Sequence, residues 1–107
     1  MLSIVVSVLS DTYYFIFEKE TVQEQNLKPD MKLRINILGL SRKNEYFPKN
    51  ATYRHSLQKY TTVSLRMTIN KKFAQSLDIQ DGDIANIEIT QREWIRGVDE
   101  YVFITIA

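Results

Sequence analysis

The chain has 107 residues, 44% hydrophobic and 25% charged, with a net charge of +1 and no cysteine. It is long enough to bury one core without staples and no second independent domain is expected, and its composition is that of an ordinary soluble globular protein, in which disorder is not expected. Without cysteine there are no disulfides, no cysteine-based zinc site and no thiol nucleophile, as suits an intracellular, cytoplasmic protein.

Met1 to Leu9 is an apolar run too short to cross a bilayer, and no basic residue precedes it as in a secretory signal. It reads as a buried strand over Ser3 to Leu9, and no membrane association is expected. A second strand is expected over Thr12 to Phe17, followed by a short helix over Lys19 to Gln25, whose apolar face Thr21 and Gln25 interrupt. A Lys28-Pro29-Asp30 turn leads into a strand over Met31 to Leu38.

Residues 42 to 60 carry five basic residues (Arg42, Lys43, Lys49, Arg54, Lys59) against one acid, Glu45. The flanking segments lean the other way, with four basic against five acidic residues over 1 to 41 and five against seven over 61 to 107. A strand over Thr61 to Ile69 precedes a helix over Lys71 to Leu77, in which Phe73, Ala74 and Leu77 form an apolar face. An Asp81-Gly82-Asp83 turn, a strand over Ile84 to Glu93, a bend at Arg96-Gly97-Val98-Asp99 and a strand over Tyr101 to Ala107 complete the chain. The Asn50-Ala51-Thr52 sequon would matter only in a secreted eukaryotic protein.

Residues 13 to 37 lie over residues 65 to 89 at an offset of 52 without a gap. Only four pairs are identical (Lys19/Lys71, Gln23/Gln75, Ile35/Ile87, Ile37/Ile89), but apolar positions coincide at Tyr13/Leu65, Phe15/Met67, Phe17/Ile69, Val22/Ala74, Leu27/Ile79 and Leu33/Ala85. The expected architecture is therefore a single mainly β domain of two similar halves, about 1–41 and 61–107, joined by the basic, aromatic segment 42–60. Closing the strands into a small pseudo-twofold β-barrel with one or two short helices removes exposed edges. An open sheet crossed by a helix is the competing arrangement.

Within the second copy, Arg66-Met67-Thr68-Ile69-Asn70, the helix Lys71 to Leu77, Asp78-Ile79-Gln80-Asp81-Gly82-Asp83-Ile84 and Ile87-Glu88-Ile89 follow one another. This stretch, Ser64 to Ile89, resembles the AbrB/SpoVT/MazE family of swapped-hairpin DNA-binding domains, and the same strand, helical turn and Gly-Asp turn recur in other cradle-loop and double-psi barrels. The resemblance covers about a quarter of the chain, with residues 13 to 37 as a degenerate second copy. It departs from the family at Asn70, where the family has proline, at Leu65, where it has glycine, and at Ala74 and Gln75, where it often has a basic pair. It implies DNA contacts from Arg66, Lys71 and Lys72, and a chain that is a fused pseudo-dimer or forms a homodimer.

Independently of that resemblance, Arg42 to His55 interleaves cations with aromatics as a nucleic-acid surface would, adding Arg42, Lys43, Lys49 and Arg54 as candidate phosphate contacts. The same segment also reads as a solvated loop whose Tyr46, Phe47 and Tyr53 fold back on the barrel. Asp78, Asp81 and Asp83 place three carboxylates within six residues, too short a loop for calcium and better explained as a turn with a positive φ at Gly82. His55 is the only histidine, and nucleophile motifs, glycine-rich phosphate loops and paired-carboxylate signatures are missing, so neither catalysis nor a cofactor is expected. Trp94 either presents a large aromatic at a hairpin tip or closes one end of the barrel. The function expected is a small DNA-binding protein, a transcriptional regulator that lays these basic residues along duplex phosphates. The alternative is a non-catalytic adaptor that binds a protein through Trp94, Tyr46 and Phe47.

Overall fold

The computed structural model of the chain describes residues 1–96 and 100–105, with side chains as far as Trp94. Its elements are β1 (Leu2–Leu9), β2 (Thr12–Phe17), α1 (Lys19–Glu24), β3 (Lys32–Arg42), β4 (Glu45–Lys59), β5 (Leu65–Ile69), α2 (Lys71–Ser76), β6 (Ile84–Arg96) and β7 (Glu100–Thr105). Every strand pairing is antiparallel, in the order β1-β2-β5-β4-β3-β6. Because β6 also pairs with β1, six strands close into a barrel, with β7 added on β6. The expected mainly β barrel with two short helices is the observed fold. Residues 97–99 of the expected bend, and 106–107 of the expected last strand, lie outside the described residues. No helix among those described is long and apolar enough to cross a membrane.

Alternation along each strand sends one set of side chains inward. Ile4 and Val6 of β1, Leu33, Ile35 and Ile37 of β3, and Met67 and Ile69 of β5 belong to one buried cluster. Phe15 and Phe17 are fully buried members of the same cluster. The doubtful first helix does form, as little more than a turn closed by Val22 N–H to the Glu18 carbonyl at 2.9 Å, with no side-chain cap. In α2 the Asn70 side chain accepts from the Phe73 N–H at 3.1 Å, and Ala74 is buried.

The segment expected to join the halves is itself a strand. Glu45–Lys59 runs antiparallel to β3 from a two-residue turn at Lys43 and Asn44, both at positive φ, and its last residues pair with β5. Its odd-numbered residues from Phe47 to Leu57 are the more buried set, which makes this stretch barrel wall and not an insert.

The 52-residue offset governs the geometry throughout. In the β2–β5 pair Phe15 faces Met67, and in the β3–β6 pair Asn36 faces Glu88, so at each place a residue meets its own counterpart in the other half. A pseudo-twofold axis therefore passes through both pairs. β1 corresponds to the C-terminal half of β4 at an offset of 51: Val6 faces Phe15 as Leu57 faces Met67, and Val5 faces Ile84 as Ser56 faces Lys32. The positive-φ positions also coincide, Asn26 with Asp78 and Asp30 with Gly82.

Bulges obey the same symmetry. Between β3 and β6 the extra residue is Leu38 on one strand and Thr90 on the other, 52 apart. Each bulge shifts the alternation, so that Leu40 and Arg42 beyond the first, and Arg92 and Trp94 beyond the second, turn toward the side that faces the core. One residue of each couple packs on the core, Leu40 or Trp94. The other is an arginine that reaches the turn after the opposite half's helix. Arg92 donates to the Gln25 carbonyl and, at 3.1 Å, to Gln25 Oε1, and its burial lowers its pKa from the ordinary arginine value. Arg42 donates to the Asp78 carbonyl at 2.7 Å.

Candidate nucleic-acid interface

The seven basic residues expected on one DNA-contacting face occupy different parts of the barrel. β1, β5 and β3 end at one mouth, together with the Ser10-Asp11 turn, the start of α2 and the turn at 81–83. Arg42, Lys43, Lys49, Lys71 and Lys72 gather around this mouth, where the acids Asp11, Glu45, Asp78, Asp81 and Asp83 gather as well.

Arg42 is committed to its own chain. Its Nε donates to Asp83 Oδ1 at 2.7 Å and its Nη2 to Asp83 Oδ2 at 2.8 Å, while Nη1 lies 3.4 Å from Asp78 Oδ2. The guanidinium also stands 5.2 Å from the Phe47 ring centroid. These bonds to Asp83 hold the arginine above its ordinary pKa. Burial alone would push the Asp83 carboxyl up, but the hydrogen bonds from Arg42 and the Gln80 N–H, with the charges of Arg42 and Lys49, outweigh it and hold the pKa below the usual carboxylate range. Lys71 pairs with Asp11 and is raised by that hydrogen bond. Lys43 and Lys72 are exposed, and Lys49 is half-buried near Asp83.

The loop that read as a possible cation site is thus filled from within. Asp83 and Asp78 hold Arg42, and Asp81 Oδ1 accepts the Val8 N–H at 2.8 Å, stitching the turn to β1. No group of three metal-ligating side chains occurs among the described residues.

Arg54 and Arg66 point outward on a different surface, the outer face of β3, β4 and β5. Register places Arg34 directly opposite Arg54, with Gln91 on the other side of Arg34 and Lys32 two residues away facing Glu93. Glu93 is the one acid in this group and pairs with Arg54 at 3.0 Å. Nearer the strand ends Arg66 faces Gln58 across β4 and lies 4.3 Å from the Tyr14 ring centroid and 5.4 Å from that of Tyr60. Lys32 and Arg34 escape sequence reading because the first half is acidic overall. Only the pairing of β3 with β4 brings them to Arg54.

The pseudo-twofold axis supplies an internal comparison. The counterparts of Arg34 and Arg54 are Asn86 and Ser3, which also face each other and share a 3.2 Å hydrogen bond. Lys32 corresponds to Ile84, and Arg66 to Tyr14, the residue on which it stacks. One outer face of the barrel is therefore basic where its equivalent is neutral. Like charges directly opposite in an antiparallel pair are unfavourable, so the barrel itself does not ask for Arg34 against Arg54.

The aromatics proposed as partner anchors contact their own chain. Tyr46 lies flat on Gly39, where a Cβ would come within 2.2 Å of its hydroxyl oxygen, and donates to the Leu38 carbonyl at 3.3 Å. Phe47 carries Arg42, and Trp94 packs against the core within β6, ahead of the hairpin end. Tyr53 packs tilted against Phe73, ring centroids 4.6 Å apart, and its hydroxyl accepts the Asn70 N–H at 2.8 Å while donating to the Thr68 carbonyl at 3.2 Å. That bond needs the N–H that a proline at position 70 would remove. His55 stacks on Tyr53, and its Nδ1 lies 3.1 Å from the Ser56 carbonyl.

Comparison with known proteins returns nothing: no protein-family model matches the chain, no curated protein resembles it significantly, and no solved structure matches its fold significantly.

Proposed function

We propose that this protein is a small nucleic-acid-binding domain whose outer β3–β4–β5 face lies along a phosphate backbone. The observation that carries the reading is the Arg34–Arg54 pair, two arginines set directly opposite each other by strand register where the equivalent half holds Asn86 and Ser3. Lys32 and Arg66 extend it, and an incoming phosphate would offset the positive charge that Glu93 alone balances only in part. The likeness of Ser64 to Ile89 to DNA-binding swapped-hairpin domains supports the same class of ligand and suggests transcriptional regulation as its setting. The contacts shift, however, from Arg42, Lys43, Lys49, Lys71 and Lys72 to Arg34, Arg54, Arg66 and Lys32, because the α2 mouth is charge-balanced.

A labelled random DNA duplex titrated at low and moderate salt tests this reading. About three to four phosphate contacts predict a slope of log affinity against log salt near −3, set by counterion release. Absence of binding to duplex and to single strand alike, even at low salt, would sink the proposal. Glu93→Gln removes the acid that competes with phosphate for Arg54 and is expected to tighten binding several-fold at low salt. A carboxylate that merely orders the face would, when removed, leave affinity unchanged or lower it.

A further inference from the structure

The geometry points to an unpaired single strand as the ligand of this face, with one base stacked on the Tyr60 ring and its phosphates running along β4 to Arg54 and Arg34; this rests on the phosphate reading above and names its ligand. Tyr60 follows the end of β4 with 42% of its surface exposed. It is set in place before any ligand arrives. Its N–H donates to the Ser64 carbonyl at 3.1 Å, the Ser64 N–H donates to Thr61 Oγ1 at 3.0 Å, and the two hydroxyls of that bend are 2.6 Å apart. The Arg66 guanidinium stands against the Tyr60 and Tyr14 rings, and its buried Nε has no hydrogen-bond partner among the described residues. Among the described residues Arg66 is therefore held by aromatic faces with no carboxylate on it, and its outer N–H groups remain available to a phosphate or a base edge.

Gln58, opposite Arg66, is four residues from Arg54 along β4, roughly 13 Å at the rise of an extended strand. A few unstacked nucleotides bridge that distance from Arg66, beside the stacked base, to the arginine pair. A duplex fits the same face poorly. Its bases are already stacked on one another, so Tyr60 has no base face to meet, and reading its major groove takes a projecting helix or two-stranded ribbon. Both helices have only six residues. Successive aromatic and cationic groups along a groove are what sequence-tolerant single-strand binders use.

The test compares oligothymidylate of about twelve nucleotides with a duplex of the same length at one low salt concentration, a length within the span of single-strand sites. Wild-type protein, Tyr60→Ala and Tyr60→Phe are each measured, with circular dichroism confirming the fold. The expected result is about tenfold tighter binding of the single strand, about a tenfold loss of it in Tyr60→Ala with duplex affinity unchanged, and retention in Tyr60→Phe. Equal affinity for both forms, or an equal loss on both in Tyr60→Ala, overturns the single-strand assignment while the phosphate reading stands. Binding of neither form overturns both.

Discussion

Replacing Phe15 by alanine is expected to destabilise the protein by about 3–5 kcal/mol, the usual cost of removing a buried aromatic ring. For a domain of this size that means a fall in melting temperature of roughly 15–30 °C, or loss of the folded state altogether. Phe15 is fully buried and faces Met67, its own counterpart across the pseudo-twofold axis, so the cavity opens where the two halves meet. Met67→Ala lines the same space, and the double variant should be destabilised by clearly less or more than the sum of the single variants. Phe15→Met, which places the same residue on both sides of the axis, should cost no more than about 1.5 kcal/mol. Thermal and denaturant unfolding monitored by circular dichroism measure all of these. If Phe15→Ala costs less than about 1 kcal/mol, the halves do not share the core described.

Asp83→Ala should have the next largest effect, about 3 kcal/mol. The Asp83 side chain is 1% exposed and accepts from Arg42 Nε, Arg42 Nη2 and the Gln80 N–H, so its loss leaves part-buried donors without their partner. The pair also ties the end of β3 to the turn that precedes β6, and that turn is bonded to β1 through Val6 and Val8. Because the folded pKa of Asp83 is depressed, its contribution is fully present above the ordinary carboxylate pKa of about 4 and is lost as pH falls through the lower folded value. Wild-type stability should therefore drop on acidification below pH ~4, and Asp83→Asn should remove that part of the drop while lowering stability at neutral pH. Parallel acid limbs for the two proteins would mean that Asp83 is not held ionised by Arg42.

The sequence was most legible where local chemistry and the repeat agreed. The strand at Thr12 to Phe17, the second helix and the two post-helix turns were readable from apolar spacing and turn residues, whereas of the strand expected over Thr61 to Ile69 only Leu65–Ile69 forms, residues 61–64 being a bend closed by the Thr61 and Ser64 hydroxyls. The 52-residue offset was visible in only four identities, yet it sets the strand pairing, both bulges and the positive-φ positions. β4 was missed because it contains Pro48 and a run of cations. Over its N-terminal half it pairs with β3 alone among the described residues, which is where a sheet tolerates a proline. Its alternation of Phe47, Ala51, Tyr53 and Leu57 with Pro48, Thr52 and Arg54 was the available signal, masked by the proline and the cations.

The site was less legible for a physical reason. Charge counted along the chain says nothing about which cations already have partners. Arg42 finds its acids 36 and 41 residues away, and Arg54 meets Arg34 only through the register of a long hairpin. Arg66 was singled out by likeness, but the rings that hold it come from β2 and the bend after β4. The basic face is thus a product of tertiary pairing, and two of its members, Lys32 and Arg34, lie in a half whose own charge is negative.

The double substitution Arg34→Asn with Arg54→Ser tests the central claim most directly, because it writes into the basic face the residues that the other half carries at the same places, Asn86 and Ser3. Titrated against single-stranded and duplex DNA across a range of salt, the variant should keep its fold, lose at least about tenfold in affinity at low salt, and show a salt slope shallower by about one to two. Affinity and slope equal to those of the wild type would contradict the assignment of this face to nucleic acid.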